Sequence, residues 1–247
     1  MIPTISPDQI EAYREEGYFV LEKVFTQEEM EALGALIEAH HERHEQRLQE
    51  VGVEGISRAK EIAFTHDLAE QDEAIRAFVT RPEFVAISTT FLGPDVDLYW
   101  NQSVYKGPDG KAQFPWHQDD GYTRVEPSPY LTLWLAINDA TPENGCIWVR
   151  PGSHQGGLAP HERTPIGLAC HSLEDPDQGV VVPVKSGSMA VFQSLTMHKS
   201  GVNRSSGTRK AYVIQYSVAG LRNGNTGEVF PNKIPVARGG VAAQAAE

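Results

Sequence analysis

At 247 residues, 40% hydrophobic and 22% charged, the chain has the length and composition of one large globular domain, not of a fibrous or disordered protein. Its formal charge of -12 argues against nucleic acid or an anionic membrane as the main partner, so an anionic ligand would need locally placed Arg or Lys. The two cysteines, Cys146 and Cys170, match neither a disulfide framework nor a zinc spacing, the acidic N-terminus lacks a signal core, and no run approaches the ~18 apolar residues of a membrane span. These features read as a soluble, cytoplasmic protein whose partner is a small molecule.

Residues 1–93 read as mostly helical. "SPDQIEAYREEG" opens with a Ser-Pro start signal and stops at Gly17. "YFVLEKVF" is a short apolar run with strand character. "TQEEMEALGALIEAHHERHEQRLQE" begins with a capping box, Thr26 to Glu29, and carries apolar residues at helical spacing. "DEAIRAFVT" and "PEFVAISTTFLG" predict two further helices, the second with Pro82 in its first turn and Gly93 at its end. After Pro94 the pattern changes. "DVDLYWNQSVYK", "YLTLWLAIND", "CIWVRPG", "GVVVPV", "SMAVFQ" and "KAYVIQYSVAG" are β-rich runs separated by Gly, Pro and Asn. The fold expected is mainly β with flanking helices: a jelly roll over about residues 94–219, packed by the N-terminal helices. One domain, 1–247, is expected, with a tail from 220 whose end, "RGGVAAQAAE", is frayed. The stretch "SHQGGLAPHERTPIGLACHSLEDPDQG" reads as a long polar loop, of the kind that often carries function.

Nine histidines offer candidates for chemistry. His40 and His44 stand four apart on the long helix and could chelate a metal, but the Glu- and Arg-rich surroundings favour a solvated face. His66, His161 and His171 fall in loops, and His154 reads as a turn residue. "WHQDDGY" differs. If it is a strand, His117 and Asp119 point to one side and Gln118 and Asp120 to the other. Imidazole and carboxylate on one face are two members of the 2-His-1-carboxylate set that leaves positions open on Fe(II); alone, the pair is equally the content of a polar turn. His198, after an apolar run, is a candidate third ligand. Ser200 and Arg209 follow, with Arg209 at the start of a β-rich run. An Arg there is commonly a surface charge. If it pointed into a barrel beside a metal it would need an anion, and a dicarboxylate suits the guanidinium fork.

Together these pieces resemble the phytanoyl-CoA dioxygenase family of Fe(II)- and 2-oxoglutarate-dependent oxygenases. The matching segments are "WHQDDGY", "LTLWLAINDATPENGCIWVRPGSH" and "MHKSGVNRSSGTRKAYVIQYS", with "YREEGYFVLEKVF" and "RPEFVAISTTFLGP" also similar, so the likeness runs from about residue 10 to 218. It implies a double-stranded β-helix core. Carried over by position, it implies that His117, Asp119 and His198 hold the iron. Arg209 and Ser200 would hold the distal carboxylate of 2-oxoglutarate, and Trp134, Gln102, Gln118 and Lys60 would line the co-substrate. Plain core packing is the competing reading for Trp134, and strand alternation turns Gln118 away. Lys106 shares a face with Gln102 but can equally be only a strand end before "GPDG". Asn144, Gly145, Pro151, Gly152 and Ser153 read as turn residues.

The reaction implied uses O2 and 2-oxoglutarate to hydroxylate an unactivated C–H bond, with succinate and CO2 released. The carboxylate of Asp119 disfavours halogenation; desaturation, epoxidation and cyclisation stay open. The competing classes are a cupin-like metal enzyme that uses no 2-oxoglutarate, for which Arg209 would have no purpose, and a β-sandwich that binds without turnover. The substrate side is expected from loop 154–178, segment 50–66, loop 121–130 and the tail after 219, with Tyr122, Arg124, His161, Arg163 and Arg222 as candidates by position.

Overall fold

The computed structural model describes residues 2–108, 111, 113–170, 178–231 and 233–243. The predicted capping box at Thr26 is formed, and the Ser-Pro start of the first helix carries a second one. Ser6 and Gln9 cap the helix Pro7–Glu15, and Thr26 and Glu29 cap the helix Gln27–Val51, each exchanging side-chain and backbone bonds that satisfy exposed N–H groups. The helices Glu73–Val79 and Pro82–Leu92 follow, where the apolar spacing and Pro82 predict them.

The main sheet is antiparallel throughout. Its strands run in the order Tyr18–Leu21, Met189–Gln193, Leu131–Ala136, Arg209–Val218, Val96–Lys106 and Ile62–His66, with Ile234–Arg238 also paired to Val96–Lys106. A second sheet holds Val180–Val182, Ile147–Val149, His198–Ser200 and Phe114–His117. The two enclose one core between them, and the helices cover the outer face of the main sheet with another. This is the expected double-stranded β-helix, or jelly roll.

Period-two alternation decides which side chain enters which core. On Arg209–Val218, Tyr212, Ile214 and Tyr216 join the helices, while Ala211 and Val213 pack between the sheets. On Leu131–Ala136, Leu131, Leu133 and Leu135 go outward and Trp134 and Ala136 inward. Glycine matters in the "ENGC" turn. Gly145 has φ 82°, and a Cβ there would lie 2.5 Å from the Gly201 carbonyl oxygen, so only a bare backbone lets that carbonyl approach.

Four elements depart from the sequence expectations. Ile62–His66 is a sheet strand inside the stretch read as helical, because Ile62, Ala63 and Phe64 are buried beside Val96–Lys106. The "long loop" contains a hairpin, His161–Thr164 with Gly167–Cys170; its continuation, residues 171–177 with His171, lies outside the described residues. The tail contributes the strands Ile234–Arg238 and Val241–Ala242; residues 244–247 also lie outside the described set. The histidines of the long helix do not sit on a solvated face. His40 Nε2 is 3.3 Å from Asp72, His44 Nδ1 is 3.1 Å from the Thr65 hydroxyl, and the His41 ring packs 4.4 Å from Tyr105. Among the described residues, no helix is long and apolar enough to cross a membrane.

Candidate active site

His117 and His198 are register partners at the end of the second sheet, with ring centres 4.1 Å apart. Each ring is held by its inner nitrogen. His117 Nδ1 is 2.9 Å from the Pro115 carbonyl and His198 Nδ1 is 3.0 Å from the Thr196 carbonyl. Those bonds place the hydrogens on Nδ1, so both Nε2 lone pairs face the interior. The strand stops at His117 and Asp119 opens a 3-10 turn, yet the carboxylate still swings to the histidine side. Asp119 Oδ1 lies 3.7 Å from His117 Nε2 and 3.6 Å from His198 Nε2. Its other oxygen, Oδ2, accepts bonds from Thr132 Oγ1 at 2.7 Å and Gln215 Nε2 at 2.9 Å. Three donor atoms therefore converge, each steered by a second interaction, in the pattern that holds a metal on one face and leaves the other open. Burial, then the neighbouring His198, keeps His117 well below the ordinary histidine pKa, in the neutral form that can ligate.

These groups line a cavity of about 420 Å³. At its deep end Arg209 is 1% exposed. One guanidinium nitrogen, Nη1, donates to the Val104 carbonyl at 3.2 Å, while Nε and Nη2 have no partner. The group lies 5.1 Å from the Trp134 ring centre, and burial lowers its pKa to about 10. Its cross-strand partner is the fully buried Lys106, whose Nζ donates to Ser200 Oγ at 2.9 Å and to the Gly201 carbonyl at 2.5 Å. Unsatisfied guanidinium N–H groups in a buried position are costly, and a carboxylate at this end would satisfy them.

The structure brings His117, Asp119, His198, Arg209, Ser200, Trp134 and Gln102 to one cavity. Two expected co-substrate residues stand elsewhere. Gln118 faces away from the cavity, as alternation requires. Its amide donates to the Gly157 and Leu195 carbonyls and accepts from Ala159 N–H, tying the loops on either side of the ligand strands. Lys60 is exposed at positive φ in the turn before Ile62 and lines a separate cleft with His41, Glu45 and Tyr105, behind the strand rather than in front of it. Thr132, Gln215 and Lys106 are functional candidates that the sequence motifs do not reveal. Even numbering from Trp134 places Thr132 inward, but only the fold brings either residue to Asp119. For Lys106, the shared face with Gln102 was the available signal.

Of the substrate-side segments, 50–66 contributes Ile56, Ile62, Phe64 and His66, loop 121–130 contributes Tyr122, Thr123 and Tyr130, and the tail contributes Phe230 and Lys233. No described residue of 154–178 lines the cavity. Arg124, Arg163 and Arg222 do not reach it, and His161 instead accepts the Gln118 N–H at 3.0 Å, steadying the backbone between two site residues.

Comparison with known proteins decides the family. The phytanoyl-CoA dioxygenase (PhyH) family model matches residues 13–211. The chain belongs to the phytanoyl-CoA dioxygenase family. Among its relatives in that family, the peroxisomal phytanoyl-CoA dioxygenase of Bos taurus is 31% identical over 171 residues, 65% of this chain and 50% of the relative. A probable alpha-ketoglutarate-dependent hypophosphite dioxygenase of Stutzerimonas stutzeri is 28% identical over 155 residues, 60% of this chain and 54% of the relative. The chain thus spans about half the length of the curated relatives it matches. The fold matches the alpha ketoglutarate dependent carbocyclase SnoK of nogalamycin biosynthesis with TM-score 0.75 at 23% identity, covering 95% of this chain and 97% of that one. EvdO2 from Micromonospora carbonacea var. aurantiaca, complexed with 2-oxoglutarate, matches with TM-score 0.71 at 22% identity over 94% and 97%.

Proposed function

We propose that the chain is an Fe(II)- and 2-oxoglutarate-dependent dioxygenase, a cytoplasmic hydroxylase of an unactivated C–H bond in a small molecule. The observation that carries this reading is the meeting, in one cavity, of three converging ligand atoms and a buried guanidinium with two unpaired nitrogens. His117, Asp119 and His198 would hold the metal through Nε2, Oδ1 and Nε2, the atoms that converge. When bound, iron and 2-oxoglutarate supply the oxidative chemistry, in which O2 and the two organic reactants give the hydroxylated product, succinate and CO2.

The protein's own part is positioning. The carbonyls of Pro115 and Thr196 fix the two imidazole rings, and Thr132 and Gln215 fix the carboxylate, so the ligand set needs little reorganisation when metal enters. Arg209 would bind the far carboxylate of 2-oxoglutarate with its unpaired Nε and Nη2, with Ser200 in the same cavity and Trp134 against the guanidinium. Lys106 holds Ser200 and adds positive charge at the same end. Gln102 lines the wall nearby. The apolar walls from Ile62, Phe64, Phe114 and Phe192 exclude water from the reacting centre. Cyclisation, epoxidation or desaturation would use the same residues with a differently placed substrate. A cupin-like enzyme without 2-oxoglutarate would leave Arg209 unexplained.

The test is 2-oxoglutarate-dependent succinate formation by the Fe(II)-loaded protein. Activity should be lost in Asp119→Ala and His198→Ala, and full turnover by either variant would remove the assignment.

A further inference from the structure

The cavity has two ends of different chemistry. The deep end is the cationic one already described. The outer end is a ring of aromatic side chains, Tyr99, Trp100, Tyr122, Tyr130 and Phe230. Most of them form a small cluster of their own, separate from the two main cores. Within that ring stands one further cation, Lys233, which the sequence motifs and the family match to residue 211 leave unassigned. Its Nζ lies 4.8 Å from the Tyr99 ring centre and 5.3 Å from that of Phe230, and donates to the Tyr99 carbonyl at 2.7 Å. An ammonium carries three donors, so the ring faces and one carbonyl leave it incompletely satisfied.

No carboxylate among the described residues is within ion-pair reach of Lys233. Glu70, Asp67 and Asp97 act on it from farther away; Glu70 is bonded by Asn101 and Asp97 by Arg238. Half-burial lowers its pKa, desolvation outweighing the pull of those three carboxylates. Asp119 is the single carboxylate among the described residues lining the cavity, and its oxygens serve Thr132, Gln215 and the ligand set. A cationic substrate would therefore find no free carboxylate here and would be repelled by the Lys233 ammonium already on the ring faces, whereas an acid would find a donor. Size adds a second limit. A cavity of about 420 Å³ is near the small end of the roughly 300–1,000 Å³ typical of ligand sites, and the co-substrate shares it.

We propose that the primary substrate is a compact aromatic or alicyclic carboxylic acid, its carboxylate received by Lys233 and its ring body packed on Tyr99, Trp100, Tyr130 and Phe230. The inference rests on the dioxygenase reading for the other end of the cavity. Two separated anion sites then sort the two acids: the dicarboxylate goes to Arg209 and the substrate to Lys233. Anchoring the acid at the mouth also sets how far along the substrate the reacting C–H lies, because the distance from Lys233 to the triad is fixed by the fold.

The experiment uses the Fe(II)-loaded protein with saturating 2-oxoglutarate under nitrogen, titrated calorimetrically with 2-naphthoate, 2-naphthamide and 2-naphthylmethylamine, which share one skeleton. The acid should bind at least about tenfold more tightly than the amide, and the amine most weakly, as one charge-assisted bond warrants. Lys233→Met should remove the preference for the acid, and Lys233→Arg should keep it. Equal binding of acid and amide, no binding of either, or an unchanged preference in Lys233→Met overturns the proposal. Should Lys233→Met fail to fold, the ranking of the three probes on the native protein and the Lys233→Arg result decide it. Succinate formation by the native protein is scored separately. Acid preference without succinate overturns the dioxygenase reading and leaves the acid site standing; succinate without acid preference does the reverse.

Discussion

The two faces of the main sheet are made by the same strands and differ in everything but backbone. The outer face of Leu131–Ala136 and Arg209–Val218 offers Leu131, Leu133, Leu135, Tyr212, Ile214 and Tyr216 to the helices, a continuous apolar surface. Where that face has a polar atom it is satisfied: the Tyr216 hydroxyl donates to the Val79 carbonyl at 2.6 Å. The inner face of the same strands carries Thr132, Trp134, Arg209 and Gln215, and two guanidinium nitrogens are left unpaired. Alternating residues of one strand thus serve stability and chemistry in turn. On these two strands the outer face is complete without a ligand, and the inner face is not. Unsatisfied buried polar groups mark where a strand has been shaped for a partner rather than for its own stability.

Substitutions on the two faces should therefore separate stability from function. The largest expected effect is on the outer face. Leu133→Ala removes a fully buried side chain from the helix-packed core and should cost about 2–5 kcal/mol in denaturant unfolding, with the 2-oxoglutarate requirement of the folded fraction unchanged. On the inner face, Arg209→Ala should raise the 2-oxoglutarate KM by roughly 10- to 100-fold, the value of a charge-assisted pair, while the melting temperature stays level or rises as an unpaired buried charge is removed. An unchanged KM would put the co-substrate elsewhere. The smallest of the three is Gln215→Leu, which keeps the volume but frees one of the two bonds to Asp119 Oδ2. Fe(II) affinity should fall by about tenfold with the fold intact, read by metal titration under nitrogen. A loss of stability instead, with no change in metal affinity, would move Gln215 from the functional face to the structural one.

Much of this division was legible beforehand. The capping residues Thr26 and Glu29 are local devices, and they form as the sequence predicts because their partners lie three residues apart. Alternation separated Asp119 from Asp120 and turned Gln118 away from the site, and both hold although the strand ends at His117. Alignment by family position was weaker where no motif anchors it. Lys60 was expected at the co-substrate and sits in a cleft behind the Ile62–His66 strand. The helical setting of residues 1–93 hid that strand, since Ile62, Ala63 and Phe64 reveal their pairing only beside Val96–Lys106.

By itself, the sequence determined the side-chain types and their period: two histidines and a carboxylate able to ligate, an arginine beginning a strand, and apolar residues alternating through the β runs. These follow from short-range chemistry, which spacing records. Only the tertiary structure decided what the inner face would enclose. Thr132 and Gln215 meet Asp119 because two strands fall into one register, Arg209 comes opposite Lys106 for the same reason, and Lys233 enters the aromatic mouth because the tail pairs with Val96–Lys106. Contacts between residues so far apart in the chain are set by sheet register and closure, and no local pattern encodes them.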